Sequence, residues 1–341
     1  MGLRYKNPKI ERLEESMQQA LRDGLTEQEL FSFASFDASA VERTGYSNYS
    51  YWRSTFKVFS KNHAAMFLVF VVAFILLFTF IQPALPGQRA AFTVYNDPLT
   101  GLFYKNIQPG KVTEAGDSFI LGTNQIGQDL WAQLWAATRT SLFISTTVAL
   151  IEAFVGILVG VLWGYVRKLD FIFTEIYNVL DNIPVTIILI LVAYIMRPGI
   201  LTMIVAMSLT SWIGMARFVR NQILIIRDRE YNLASRCLGT NIFRIITKNL
   251  LPYIISVIML RFALAIPANI GYEVFITYVG LGLPATMPSL GNLINEGRML
   301  MLTPGLRYQL IYPTIILSIV TISFYVEGNA FSDAADPKNH V

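Results

Sequence analysis

Hydrophobic residues along this chain of 341 residues are gathered into long runs and are not spread at amphipathic spacing. The clearest run, from Ala64 to Ile81, contains no charged residue. As an α-helix it would be about 27 Å long, roughly the thickness of the hydrocarbon core of a bilayer. The same pattern predicts further spans at approximately 141–166, 176–196, 200–219, 252–270 (continuing to 283) and 306–331. We therefore predict an all-α polytopic membrane protein with six transmembrane helices.

Composition agrees with a membrane protein and excludes some chemistry. The chain is 54% hydrophobic and 15% charged, and its mean hydropathy is +0.48. Cys237 is the single cysteine, so neither an intrachain disulfide nor a cysteine metal cluster can form. His63 and His340 lie outside the hydrophobic runs. We expect no bound metal or cofactor.

Lysine and arginine residues predict the orientation in the membrane. With both termini in the cytoplasm, 19 of the 27 basic residues lie inside and 7 outside, and Arg261 is within the membrane. Without the long N-terminal segment, which follows the rule poorly, the ratio is still 10 to 7. The polar first 63 residues also argue against a cleaved signal peptide.

A charged stretch at 230–252 separates two hydrophobic runs on the predicted cytoplasmic side. We predict that Asp228 caps a short helix ending near residue 238, and that Gly239 ends it in the left-handed conformation. Thr240 or Asn241 is expected to cap a second helix from Ile242. In that helix, one set of residues should pack and two basic residues should face water. Pro252 is expected to reset the chain direction, separating this helix from the next span. The packing residues would be Ile242, Phe243, Ile245, Ile246 and Leu250, and the basic ones Arg244 and Lys248. Such a segment either docks a partner or seals the bundle.

The spacing in this stretch resembles the cytoplasmic signature of permease subunits of ATP-binding-cassette (ABC) importers. That signature reads Glu-Ala-Ala, three residues, Gly, nine residues, Ile-x-Leu-Pro. It falls here on Leu233, Ala234, Ser235, Gly239, Asn249, Leu251 and Pro252. Leu233, Ser235 and Asn249 depart from it, and Glu230, one helical turn before Leu233, is a candidate replacement for the missing glutamate.

Four other segments resemble the oligopeptide and dipeptide branch of these permeases, in the same order. They are "FILGTNQIGQDL" from Phe119, "ARFVRNQIL" from Ala216, "YVGLGLPATMPSLGNLI" from Tyr278 and "AFSDAADPK" from Ala330. Asn124 and Gln128 replace the aspartate and arginine that are usual in the first. The chain is thus similar to the C-type membrane subunit of a peptide importer.

The resemblance implies the type I ABC importer permease fold and a set of partners. These would be a homologous second permease, two cytoplasmic ATPases that bind ATP and Mg²⁺, and an extracellular peptide-binding protein. Nucleic acid is not expected as a partner. It also implies this division of the chain: a cytoplasmic segment 1–63, a first transmembrane helix 64–81, an extracellular loop 82–138, a permease domain 139–331 containing a cytoplasmic coupling loop 220–252, and a cytoplasmic tail 332–341. Gly122 and Gly127 have the glycine spacing of a nucleotide-binding P-loop, but Gln128 and Asp129 follow in place of lysine and serine or threonine. No other Walker-type sequence occurs, so ATP hydrolysis is expected on a partner and the chain itself is not expected to be an enzyme.

Small and charged residues within the spans indicate where helices and water meet. Gly156, Gly160 and Gly164 repeat every fourth residue and predict a close helix contact. Charged residues are costly in lipid, so Glu152, Asp181, Arg261 and Glu273 should face the bundle or a wet cavity, in structural roles or on the substrate path. The substrate-binding residues are not predicted.

Other functions remain open alternatives. Related permeases carry nickel, glutathione or other small solutes. A secondary transporter would commonly show two matching half-domains, and an intramembrane enzyme would need a catalytic set within its spans. Near the N-terminus, Ile10, Leu13, Met17 and Leu21 predict an amphipathic helix resting on membrane lipid or on the complex itself.

Overall fold

A computed structural model describes residues 51–335, and the side chains from residue 53. The predicted N-terminal helix and the end of the tail lie outside these residues. The described part is helical, and its β-pairing is limited to isolated bridges between 94 and 129. The helices are α1 Tyr51–Phe59, α2 His63–Ile81, α3 Leu130–Tyr165, α4 Arg167–Asp181, α5 Val185–Ile195, α6 Ile200–Arg227, α7 Glu230–Cys237, α8 Ile242–Ile245, α9 Leu251–Tyr278, α10 Leu290–Met299 and α11 Tyr308–Ala335.

The membrane-spanning segments confirm the predicted architecture, with one correction. Within the described residues, five helical segments are long and apolar enough to cross a bilayer, or six if α4 and α5 together form one span. The prediction of a continuous helix over 176–196 was wrong, because α4 and α5 meet at a bend of 77°. Pro184 explains the break: it has no amide hydrogen to donate and disfavours helical geometry at Ile183.

Helix α3 begins earlier than the span predicted from residue 141. Asp129 caps it by accepting a hydrogen bond from the Trp131 amide at 3.0 Å. The polar residues in its first turns, which weaken the hydrophobic signal, have partners in the fold. Arg139, for example, donates to the carbonyl of Thr79 in α2 at 3.3 Å.

Helices α3 and α9 form the centre of the bundle, since both contribute to all three buried hydrophobic clusters of the described chain. Helix α6 packs beside α3, and the two helices run parallel. A Cβ atom on Gly156, Gly160 or Gly164 would lie 3.1, 2.5 or 3.0 Å from a backbone carbonyl of α6, at Trp212, Ala216 and Arg220 respectively. The predicted glycine stripe therefore lies against a row of carbonyls with the same four-residue spacing.

The segment 85–129 folds at the end of the bundle where α2 ends and α3 begins, which we term the loop end. Arg89 pairs with Asp117 at 2.9 Å, and its guanidinium lies 4.0 Å from the centroid of the Phe119 ring. The Tyr308 hydroxyl of α11 lies 2.9 Å from the carbonyl of Ile107, which attaches the segment to the bundle. The opposite end, which carries α7, is termed the α7 end.

Candidate functional site

The α7 end carries the predicted pair of short helices. Gly239 has a φ of +72°, the left-handed conformation predicted for it. Asn241 caps α8 by accepting a hydrogen bond from the Phe243 amide at 2.9 Å. The predicted reset at Pro252 was wrong: a π-helical turn, Ile246–Leu250, connects α8 directly to α9. Pro252 lies in the first turn of α9, directly after this π-helical turn.

Asp228 does not cap α7 as predicted, because arginine side chains occupy its carboxylate. Arg227 donates to it at 3.0 Å and Arg236 at 3.1 Å. The hydrogen bond from Arg227 holds the pKa of Asp228 below its usual value. Arg227 also donates to the carbonyl of Gly164 at 2.9 Å. This cluster therefore ties the start of α7 to the ends of α3 and α6.

Two of the three departures from the permease signature are in contact with each other. The Asn249 amide donates to the Ser235 hydroxyl at 3.4 Å and to the Asn232 side-chain carbonyl at 3.1 Å. Asn232 is fully buried and donates to the carbonyl of Ile226 at 2.8 Å. Asn232 was not predicted as a site residue from the sequence, although a polar residue three positions from Ser235 shares its helix face. Polar side chains thus fix α7 against the segment before α9.

Large apolar side chains are exposed on the outer side of these short helices. This α7 patch consists of Tyr231, Leu233, Leu238, Ile242 and Phe243, with 46%, 44%, 85%, 55% and 74% of their surface exposed. Of the five residues predicted to pack, Ile242 and Phe243 are thus exposed in this chain, whereas Ile245 and Leu250 are buried. The four-residue helix α8 is too short to turn all its apolar residues inward. Glu230 and Ala234 are also exposed at this end.

Three of the four predicted intramembrane charges meet in one cavity. It has a volume of about 320 Å³, and Glu152, Asp181 and Arg261 lie in its wall with Asn269. Glu152 and Asn269 are buried. Asn269 was not predicted from the sequence, but the α9 positions in the wall recur at helical spacing from Arg261: 264, 265, 268, 269 and 272.

Glu273, the fourth predicted charge, lies on α9, and its carboxylate is beside the start of α10. Its carboxylate accepts a hydrogen bond from the Ser141 hydroxyl of α3 at 2.7 Å, and that hydroxyl also accepts from the Leu290 amide at 3.0 Å. A Cβ atom on Gly291 would be 2.7 Å from Glu273 Oε1. A carboxylate beside the N-terminus of a helix is favourable. Glu273 therefore joins α3, α9 and α10 and does not line the cavity.

Comparison with known proteins identifies the family of the chain. Residues 156–341 match the model of the binding-protein-dependent transport system inner membrane component family, and residues 50–98 match the N-terminal transmembrane domain of oligopeptide transport permease C. The oligopeptide transport system permease protein AmiD of Streptococcus pneumoniae is 36% identical over 92% of this chain and 98% of its own length. The dipeptide transport system permease protein DppC of Bacillus subtilis is 35% identical over 89% of each chain.

A third relative, the oligopeptide transport system permease protein OppC of Bacillus subtilis, is 30% identical over 91% of this chain and 97% of its own length. These matches extend over nearly the whole chain and include both the cavity and the α7 end. The chain belongs to the family of binding-protein-dependent transport system inner membrane components.

Proposed function

We propose that this chain is the C-type permease subunit of an ATP-driven importer that carries oligopeptides or dipeptides into the cell. It pairs with a homologous permease, and the two enclose the path. Two cytoplasmic ATPases bind ATP and Mg²⁺, and an extracellular binding protein delivers the peptide. The chain itself contributes no catalytic residue. The oligopeptide and dipeptide permeases similar to it support this choice of substrate over nickel or glutathione.

The α7 patch is the observation that carries the coupling part of this proposal. Five large apolar side chains are exposed on α7, on α8 and at Leu238 between them, at the α7 end of the bundle. Contiguous exposed apolar surface is typical of an interaction site. The patch contains the signature position Leu233 and includes Leu238, next to the signature glycine Gly239. One of the two ATPases would therefore receive an apolar surface held at a fixed angle by the Asn249 hydrogen bonds.

Transport would follow from movement of this surface. When ATP draws the ATPases together, the α7 patch moves with them. Helices α3 and α6 follow as a unit, because the glycine contact and the Arg227 bond to Gly164 join them to the α7 end. Rigid-body rotation of such packed elements would exchange an inward-open for an outward-open path. In this arrangement both termini are cytoplasmic, and segment 85–129 faces outside, where the binding protein lands.

Uptake by the reconstituted complex tests the proposed function. Proteoliposomes containing both permeases and both ATPases are supplied with the binding protein, ATP and labelled peptides of graded length. We expect ATP-dependent peptide accumulation that stops when the binding protein is omitted. Nickel and glutathione serve as competing substrates. Accumulation of either in place of peptides, or peptide uptake without the ATPases, would contradict the proposal.

The single cysteine tests the orientation. Cys237 is exposed at the end of α7, so a membrane-impermeant maleimide should label it in inside-out vesicles and not in intact cells. Bound ATPases should slow the labelling, because Cys237 adjoins the α7 patch. The matched control, Lys105→Cys in a Cys237→Ser background, places the cysteine in segment 85–129 and should show the opposite pattern. Labelling of both cysteines from one side would exclude the six-span topology.

A further inference from the structure

The cavity wall contains a helix break at membrane depth. Helix α4 ends at Asp181 and α5 begins at Val185, and both residues line the cavity with Ile183 between them. Three residues between two helices bent by 77° leave backbone groups without helical partners. Irregular backbone within a membrane is tolerated where it is buried in protein or lines a wet cavity. The break therefore indicates a hydrated site and not a surface against lipid.

The charge distribution in this cavity is mixed. Arg261 lies ten residues into α9, about 15 Å from the start of the helix and near the middle of the span. Among the described residues, it makes neither a hydrogen bond nor an ion pair. Gly214 of α6 lies beside it, and a Cβ atom there would lie 3.4 Å from the guanidinium, an ordinary contact distance. An arginine held in this way at membrane depth needs water or an anion as its partner.

Carboxylates come to the same cavity from two other helices. Glu152 lies on α3, is 6% exposed and lines the same cavity as Arg261. Asp181 lies on α4 at the break and is exposed. The cavity thus presents a cation on one helix and anions on two others. A molecule with one negative and one positive end is complementary to this arrangement.

We propose that Arg261 binds the C-terminal carboxylate of a peptide in transit and that Glu152 and Asp181 bind its amino-terminal ammonium group. This inference rests on the proposed peptide function. A guanidinium can bind a carboxylate through two parallel hydrogen bonds, whereas a terminal amide offers it only one carbonyl oxygen. Contacts to the charged termini would accept many sequences of short peptides, because every unmodified peptide carries both groups and a short one can place both in a cavity of about 320 Å³.

The test compares uptake of one peptide as the free acid and as the C-terminal amide. Both forms are assayed with the reconstituted complex containing either the unaltered permease or Arg261→Gln. The same binding protein serves both complexes, so its own preference cancels when the acid-to-amide ratios are compared. We expect the ratio to fall about tenfold in Arg261→Gln, as loss of a charge-assisted contact predicts. Arg217→Gln, which removes an exposed α6 cation outside the cavity wall, should leave the ratio unchanged.

A second comparison addresses the other end of the peptide. Asp181→Asn should lower uptake of a free-amine peptide severalfold relative to its N-acetylated form. Unchanged ratios in both Arg261→Gln and Asp181→Asn, with all peptides slowed equally, would overturn the inference, because the charges would then only hold the helices. An equal change in Arg217→Gln would also overturn it, in favour of a general effect of positive potential. Absence of peptide uptake with the unaltered complex would remove the proposed function and this inference together.

Discussion

Replacing Gly160 by leucine is expected to prevent assembly of the permease into a transport-competent complex. At this position a Cβ atom alone would lie 2.5 Å from the carbonyl oxygen of Ala216 and 2.7 Å from Cβ of Val219. Both distances are shorter than van der Waals contact, and leucine adds three more carbon atoms. Overpacking typically costs about 1–3 kcal/mol, and we expect this variant to exceed that range because a rigid backbone forms the opposing surface.

The measurements are the yield of complex in mild detergent and the midpoint of its thermal unfolding. Gly160→Ala should also lower the midpoint, since the Cβ clash is already present in alanine. Gly271→Ala is the matched control: it makes the same chemical change in a membrane-spanning helix where a Cβ atom would meet nothing within 4 Å. An unfolding midpoint for Gly160→Ala equal to that for Gly271→Ala would show that α3 and α6 can separate without cost.

The spans and the turn at Gly239 could be predicted from sequence because both depend on local properties. A run such as 64–81 has no favourable place in water, whatever the rest of the chain does. Likewise, the left-handed turn at Gly239 and the cap at Asn241 depend on neighbouring residues alone. Hydropathy shows that a run is apolar but not whether its helix is straight. The run at 176–196 therefore gave no sign of the bend at Pro184.

Features that depend on long-range partners could not be predicted in the same way. Asp228 satisfied the local rule for a cap, but Arg236 competes for its carboxylate from eight residues away. The charges at Glu152, Asp181 and Arg261 could each be predicted to avoid lipid, since desolvation penalises any charge. Which of them meet depends on how three helices pack, and Glu273, predicted by the same reasoning, joins α10 instead.

The turn at Gly239 allows backbone strain to be tested separately from steric clash. A Cβ atom at this position would meet no atom within 4 Å, so a larger side chain has space. The φ of +72° is the only obstacle, and L-residues occupy that region at a cost of about 1–2 kcal/mol, with β-branched residues the least suited. Gly239→Val should therefore distort the angle between α7 and α8 without disturbing the spans.

Uncoupling of ATP hydrolysis from transport is the expected consequence of Gly239→Val. We expect normal membrane insertion and binding-protein contact, continued basal ATP hydrolysis, and about a tenfold loss of peptide uptake per ATP, as a shift of about 1.4 kcal/mol in the population of the correct turn predicts. Gly239→Asn is the matched control, because asparagine tolerates the left-handed conformation and should retain most of the coupling. Crosslinking from Ala234→Cys, which is exposed on α7, reports contact with the ATPases. If valine and asparagine variants couple equally well, or if the crosslink forms only within the permease, then α7 and α8 seal the bundle and another surface receives the ATPases.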